Sequence, residues 1–179
     1  MIVLEERCLR SFAIHGTVFI LISGSLLHFL YEWSGRNPFI GALTPVNESV
    51  WEHLKLVFLP GVALLVLESI FCKTSNRGSI IAGKTIGIFV MVFSILGGFY
   101  LYTLFLSHNL IFDILLMFVA VALGQFASYR VSRSKAVSPF LATIALFLLI
   151  SLGFAFVAFT FWPPLLEPFR DSITGAYGI

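Results

Sequence analysis

Apolar residues fall in five long blocks along this chain, with short polar stretches between them. The blocks run from about Phe12 to Tyr31, Leu54 to Phe71, Ile80 to Leu106, Leu110 to Tyr129 and Val137 to Trp162. A helix needs about 20 mainly apolar residues to cross the hydrocarbon of a bilayer, so each block predicts one crossing. The tail 163–179 opens with Pro163 and Pro164, which end the fifth helix, and is too short to cross again. The pattern predicts an all-α polytopic membrane protein: one domain over residues 1–179, built as a bundle of five transmembrane helices.

Composition narrows the class. The chain has 179 residues, of which 59% are hydrophobic and 11% charged, with a mean hydropathy of +1.00. A soluble domain carries about a quarter charged residues, so soluble enzymes, nucleic-acid binders and disordered chains are set aside. The partner implied is the lipid bilayer, with no nucleic acid, and the expected location is the cell (plasma) membrane. Glu5 and Glu6 occupy what would be the basic region of a signal peptide, and no A-x-A site follows. The first block is therefore expected to stay as an anchor.

Charge sets the orientation. Arg7, Arg10, Lys73, Arg77, Lys84, Arg130, Arg133 and Lys135 fall on one side of the predicted bundle, against Arg36, Lys55 and Arg170 on the other. Basic residues mark the cytoplasmic side, which predicts amino terminus in and carboxyl terminus out. Cys8 and Cys72 then face the cytosol, where thiols are expected to stay reduced.

The same topology gathers most of the other ionisable residues outside. Glu32, Glu48, Glu52, Asp113, Glu167 and Asp171, together with His28, His53 and His108, lie at outer loops or outer helix ends. Ionisable groups near a bilayer usually face a bundle interior or a wet cavity, so their convergence predicts an outward-facing polar pocket.

The densest segment is TPVNESVWEHLK, Thr44 to Lys55. Thr44 followed by Pro45 reads as an N-cap with proline at the first helical position; Ser49 with Glu52 reads as a capping box. On a helix beginning at Thr44, Glu48, Glu52 and Lys55 fall within about 60° of one another. A structural role is then complete: a capped helix start with Lys55 neutralising two glutamates. The functional reading makes Glu48 and Glu52 candidate catalytic bases. It makes Asn47, Ser49, Glu32, Lys55 and Asn109 ligand-binding residues, and His28, His53, His108 and Asp113 candidate metal ligands. Imidazole and carboxylate both suit zinc, although the chain has neither H-E-x-x-H nor H-x-x-x-H.

Other features have simpler readings. Glu68, near the inner end of the second helix, is expected to snorkel or to pair with Lys73. Gly83 and Gly87 form a G-x-x-x-G packing seam. Trp33, Trp51 and Trp162 are placed in an outer aromatic belt. Leu165, Leu166, Phe169 and Tyr177 make the tail sticky, so it is expected to fold back over the outer mouth, with Glu167 and Asp171 near the first loop.

With PVNESVWEHLK and the ending T-G-x-Y-G-I (Thr174 to Ile179), the chain resembles a family of small prokaryotic membrane proteins defined only as a domain of unknown function, number 6512. The resemblance spans the whole chain and implies a several-helix membrane protein; it implies no activity. Ser49-x-x-x-His53 is also similar to one element of the ceramidase and progestin-receptor-like membrane hydrolases, which set a Ser, an Asp and three His around zinc. Their later H-x-x-x-H pair has no match here, and they have seven helices.

Three function classes fit these residues. The first is a metal-dependent hydrolase acting on a lipid-type substrate. The second is a small-molecule or ion transporter, or a substrate-capture subunit. The third is a structural or regulatory membrane protein whose outer residues form a salt-bridge network and bind nothing.

Overall fold

The computed structural model describes residues 2–72, 74, 76–134 and 136–179. Lys73 and Lys135, two of the basic residues used above, lie outside them. The chain is all-α, with helices α1 (Ile2–Trp33), α2 (Pro38–Gly41), α3 (Val50–His53), α4 (Lys55–Phe71), α5 (Arg77–Thr103), α6 (Leu110–Ser132) and α7 (Pro139–Phe161), followed by a 3-10 turn at Glu167–Phe169. Five helices are long and apolar enough to cross a membrane: Leu4–Trp33, Val50–Phe71, Arg77–Thr103, Leu110–Ser132 and Pro139–Phe161. They correspond one to one with the five apolar blocks.

The helix α1 begins ten residues earlier than its apolar block. At 1.5 Å per residue its 32 residues reach about 48 Å, well beyond the hydrocarbon thickness of about 30 Å. Its first turns carry charges that bond to neighbouring linkers. Glu5 accepts from the Thr74 hydroxyl, and Glu6 accepts from Tyr129 at 3.2 Å and lies 3.5 Å from Arg133. This extension also corrects the reading of the cysteines. It carries Cys8 alongside Cys72 at the exit of α4, with a Cα–Cα distance of 5.7 Å, and the two are joined as a disulfide.

The core is a set of close helix crossings. On α1 the row Gly16, Ile20, Gly24 and His28 faces inward at four-residue spacing, and Ile20 is fully buried. Pro60 inside α4 has no N–H to offer the carbonyl four residues back, which belongs to Leu56. Gly24 packs directly over that carbonyl: a Cβ at Gly24 would lie 2.6 Å from the Leu56 oxygen. The α5–α6 hairpin uses the predicted glycine seam, with Gly87 seated against the Gly124 carbonyl and Gly83 against Ser132. The last helix, α7, rests on α5 and on α3.

The carboxyl-terminal tail folds back, as expected. Phe169 is buried against Trp51, with ring centroids 4.8 Å apart. Ile179 donates its N–H to the Thr160 carbonyl at 3.2 Å. Gly178, at φ 67°, fits where a Cβ would lie 2.7 Å from the same carbonyl, so this ending needs glycine on two counts. Trp51 is not a belt residue. It is wedged between Phe156, Phe159 and Phe169, because the returning tail covers the face that would otherwise be exposed. Trp33 and Trp162 are 68% and 78% exposed.

Candidate metal centre

The site grows from one cap. Ser49 has extended backbone and accepts from the Glu52 N–H at 3.3 Å, which fixes the start of α3 at Val50. Thr44 and Pro45 therefore do not begin the helix. Asn47 braces the cap from below: its Oδ1 accepts from the Ser49 N–H at 3.0 Å, and its Nδ2 donates to the Gly178 carbonyl at 3.1 Å. Ser172 in the tail donates to the Glu48 carbonyl at 3.1 Å. The carboxyl-terminal tail is thus a strap over the loop that carries Glu48.

Because Glu48 precedes the cap, it does not share the helical face of Glu52 and Lys55. Its side chain turns instead toward two imidazoles. Glu48 Oε2 lies 3.3 Å from His53 Nε2 and 3.7 Å from His28 Nε2, and the two Nε2 atoms are 3.1 Å apart. His28 comes from α1, one turn from its end. The three side chains are partly exposed, at 31%, 41% and 30% for His28, Glu48 and His53. His53 Nδ1 lies 2.8 Å from the Ser49 carbonyl. A carbonyl only accepts, so Nδ1 carries a proton; Nε2 donates to Glu48 when it is protonated as well, and in the neutral ring it presents its lone pair to the cluster. A carbonyl on the remote ring nitrogen is what orients ligating histidines.

The chemistry of the set fits a divalent cation. A triangle with sides of 3.1, 3.3 and 3.7 Å has a point about 2.0 Å from all three corners, which matches zinc–imidazole and zinc–carboxylate bond lengths. His28, Glu48 and His53 are the one group of three or more potential ligands that converges this closely among the described residues. The hydrogen bonds that His28 and His53 offer Glu48 outweigh its partial burial and hold its carboxyl well below the usual carboxylate range, so it stands ready as an anion.

The other expected site residues are placed elsewhere. Glu52 is 2% exposed and faces away from the imidazoles. It accepts from the Val46 N–H at 3.1 Å, from Lys55 at 2.8 Å and from the Thr160 hydroxyl at 3.0 Å. Lys55 is buried with it, bonded also to the carbonyls of Gly41 and Thr44 and to Thr160. Glu32 pairs with Arg36 at 3.0 Å on the surface. Asn109 is the N-cap of α6, accepting from Ile111. His108 and Asp113 form their own pair at 2.7 Å, with Tyr102 donating to the second oxygen of Asp113. That pair lies outside the three-residue group, although Asp113 is near enough to act electrostatically on His53. Glu167 faces Arg170. Asp171 lies beside the strap, where donation from Ile173 and Thr174 overcomes its burial and lowers its carboxyl below the ordinary value.

The chain belongs to the family of unknown function DUF6512, which matches residues 4–179. No curated protein matches it, and no solved structure does.

Proposed function

We propose that this is a multi-pass plasma-membrane metalloprotein that holds a zinc-type divalent ion with His28, Glu48 and His53 and hydrolyses a lipid-type substrate. The observation that supports it best is the common point about 2.0 Å from three ligand atoms. Three protein ligands with one open position is the pattern of catalytic rather than structural zinc. The ion would supply Lewis acidity and a water acidified to a pKa of about 7.

The chain's own residues do the rest. Ser49 holds the His53 tautomer through its carbonyl. Glu48 brings a negative charge into the ligand set itself. The Asp113–His108 pair on the neighbouring helix is the nearest arrangement able to take up and return a proton. Phe29 and Trp33, exposed on α1 beside His28, set the mouth at the level where lipid headgroups meet acyl chains. An amphiphile presenting its ester or amide at that depth is the substrate class that fits.

Metal analysis of protein purified without chelator tests this. About one zinc per chain is expected, lost in His28→Ala and His53→Ala and kept in Glu32→Ala. Substoichiometric metal, with no thermal stabilisation on adding zinc, would contradict it. Release of a fatty product from a lipid panel by the wild type, and not by His53→Ala, tests the hydrolytic step.

A further inference from the structure

At the opposite end of the bundle, where α1 begins, lies a second polar cluster that the metal site does not use. Glu68 on α4, Lys84 on α5 and Gln125 on α6 are 2%, 3% and 2% exposed. Lys84 Nζ is 2.7 Å from Glu68 Oε2, in ionic contact but off the line of a hydrogen bond. Its directed bond goes to Gln125 Oε1 at 3.2 Å. A buried ion pair adds little net stability, and apolar residues of similar volume often do as well. Within a membrane bundle such a pair points to function.

Two further observations give the pair a route outward. Gln125 Nε2 is buried without a partner and sits directly behind Gly16, where a Cβ would overlap it. Gly16 is also part of a groove of about 290 Å³ lined by Ser11, Phe12, His15, Gly16, Phe19 and Leu64. Gly16 and the Leu64 side chain lie between this groove and the Gln125 amide. Leu64 lies one turn before Glu68 on the same face of α4. Within the groove, His15 Nδ1 lies 2.9 Å from the Ser11 carbonyl and 3.2 Å from the Ser11 hydroxyl; donation from Nδ1 to the carbonyl leaves Nε2 to bind a proton.

We propose that Glu68 and Lys84 form a proton-binding site inside the membrane, loaded from the groove at His15 past the Gln125 amide. On loading, an N–H bond of the His15 imidazolium breaks and an O–H bond forms on Glu68. Neutral imidazole and a neutral carboxylic acid remain, and solvent in the groove returns a proton to His15. Lys84 stays an ammonium throughout, held by the Gln125 carbonyl, and opposes loading by favouring the carboxylate. Lys84 from α5 is the charged group facing Glu68 among the described residues; α6 brings the neutral Gln125, and α1 brings His15 on the groove side.

Infrared difference spectra of the protein in nanodiscs, between about pH 5 and pH 9, test this, since buried carboxyls titrate in that range. The carbonyl band of a protonated, buried carboxylic acid should appear on acidification and vanish in Glu68→Gln. No such band in the wild type, or one that persists in Glu68→Gln, overturns the proposal. Lys84→Met keeps the carboxyl, so it serves even if Glu68→Gln does not fold. Its band should appear at least about one pH unit higher, and an unchanged midpoint overturns the proposal. In Gln125→Leu the deuterium exchange of that band should slow at least about tenfold; an unchanged rate overturns the route past Gln125.

Discussion

Glu48 and Glu52 stand four residues apart in one motif and are put to opposite uses. Glu52 is sealed from solvent, with three donors, the charged Lys55 among them, saturating its oxygens. Glu48 is 41% exposed and faces two imidazoles whose nitrogens have no other side-chain partner than each other. One is a rivet between the first loop, α3 and α7; the other is an open ligand. The difference comes from one hydrogen bond, the Ser49 cap, which leaves Glu48 outside the helix and puts Glu52 inside it. Full saturation makes a carboxylate structural, whereas incomplete saturation at a shared point makes it available.

Separating the two roles by substitution should show stability and metal affinity moving independently. The largest expected effect is on the rivet. Lys55→Met strands the Glu52 carboxylate in an apolar setting, and breaking one side of a buried pair costs about 3–5 kcal/mol, read as a fall in unfolding free energy. His53→Ala should do the converse. It should weaken zinc binding about 100-fold or more, equivalent to about 2.7 kcal/mol, while unfolding stability changes by only about 1 kcal/mol for the lost bond to Ser49. If His53→Ala were the more destabilising of the two, the division between rivet and ligand would be wrong.

Next in size is the strap that braces the Glu48 loop. Gly178→Ala forces an L side chain into positive φ and against the Thr160 carbonyl, at a cost of about 1–3 kcal/mol. The tail should become protease-sensitive and zinc affinity should fall with it. Asp171 gives the strap a pH dependence. Its folded-state carboxyl titrates below its ordinary value of 3.8. The stability it contributes is therefore present above that value and lost as the pH falls through the lower, folded-state one. Tail protection measured by hydrogen exchange should decline on acidification below about pH 4 in the wild type, and Asp171→Asn should remove that dependence. The smallest effect belongs to Glu32. Its pair with Arg36 is 60% and 71% exposed, and Glu32→Ala should change stability by less than about 0.5 kcal/mol and leave metal binding alone.

The five long apolar helices were legible because a 20-residue apolar run has few other uses. The end of the bundle that carries the candidate site was legible too: His28 and His53 were read as ligands from charge asymmetry and loop position, whereas Glu48 was read as a base and His108 and Asp113 as ligands. What the sequence hid was direction. A helical wheel drawn from Thr44 joins Glu48 to Glu52 and Lys55. In the structure the Thr44 hydroxyl donates back to the Ile40 carbonyl and Asn47 holds the Ser49 N–H, while Asn47 is itself tied to Gly178, 131 residues away. The Cys8–Cys72 bond was hidden for a similar reason. Glu5, Glu6, Arg7 and Arg10 look like a charged flank, yet each is a good helix former, and they continue α1 far enough to meet the end of α4. Glu68 pairs with Lys84 across two helices, a contact invisible to spacing along either one.

X-ray absorption at the zinc edge of the loaded protein addresses the central claim most directly. Two imidazole nitrogens and one carboxylate oxygen at about 2.0–2.2 Å are expected, with one imidazole lost in His28→Ala and one in His53→Ala. A shell of oxygen alone, or one unchanged by both substitutions, would place the ion elsewhere and leave His28, Glu48 and His53 as a hydrogen-bonded cluster.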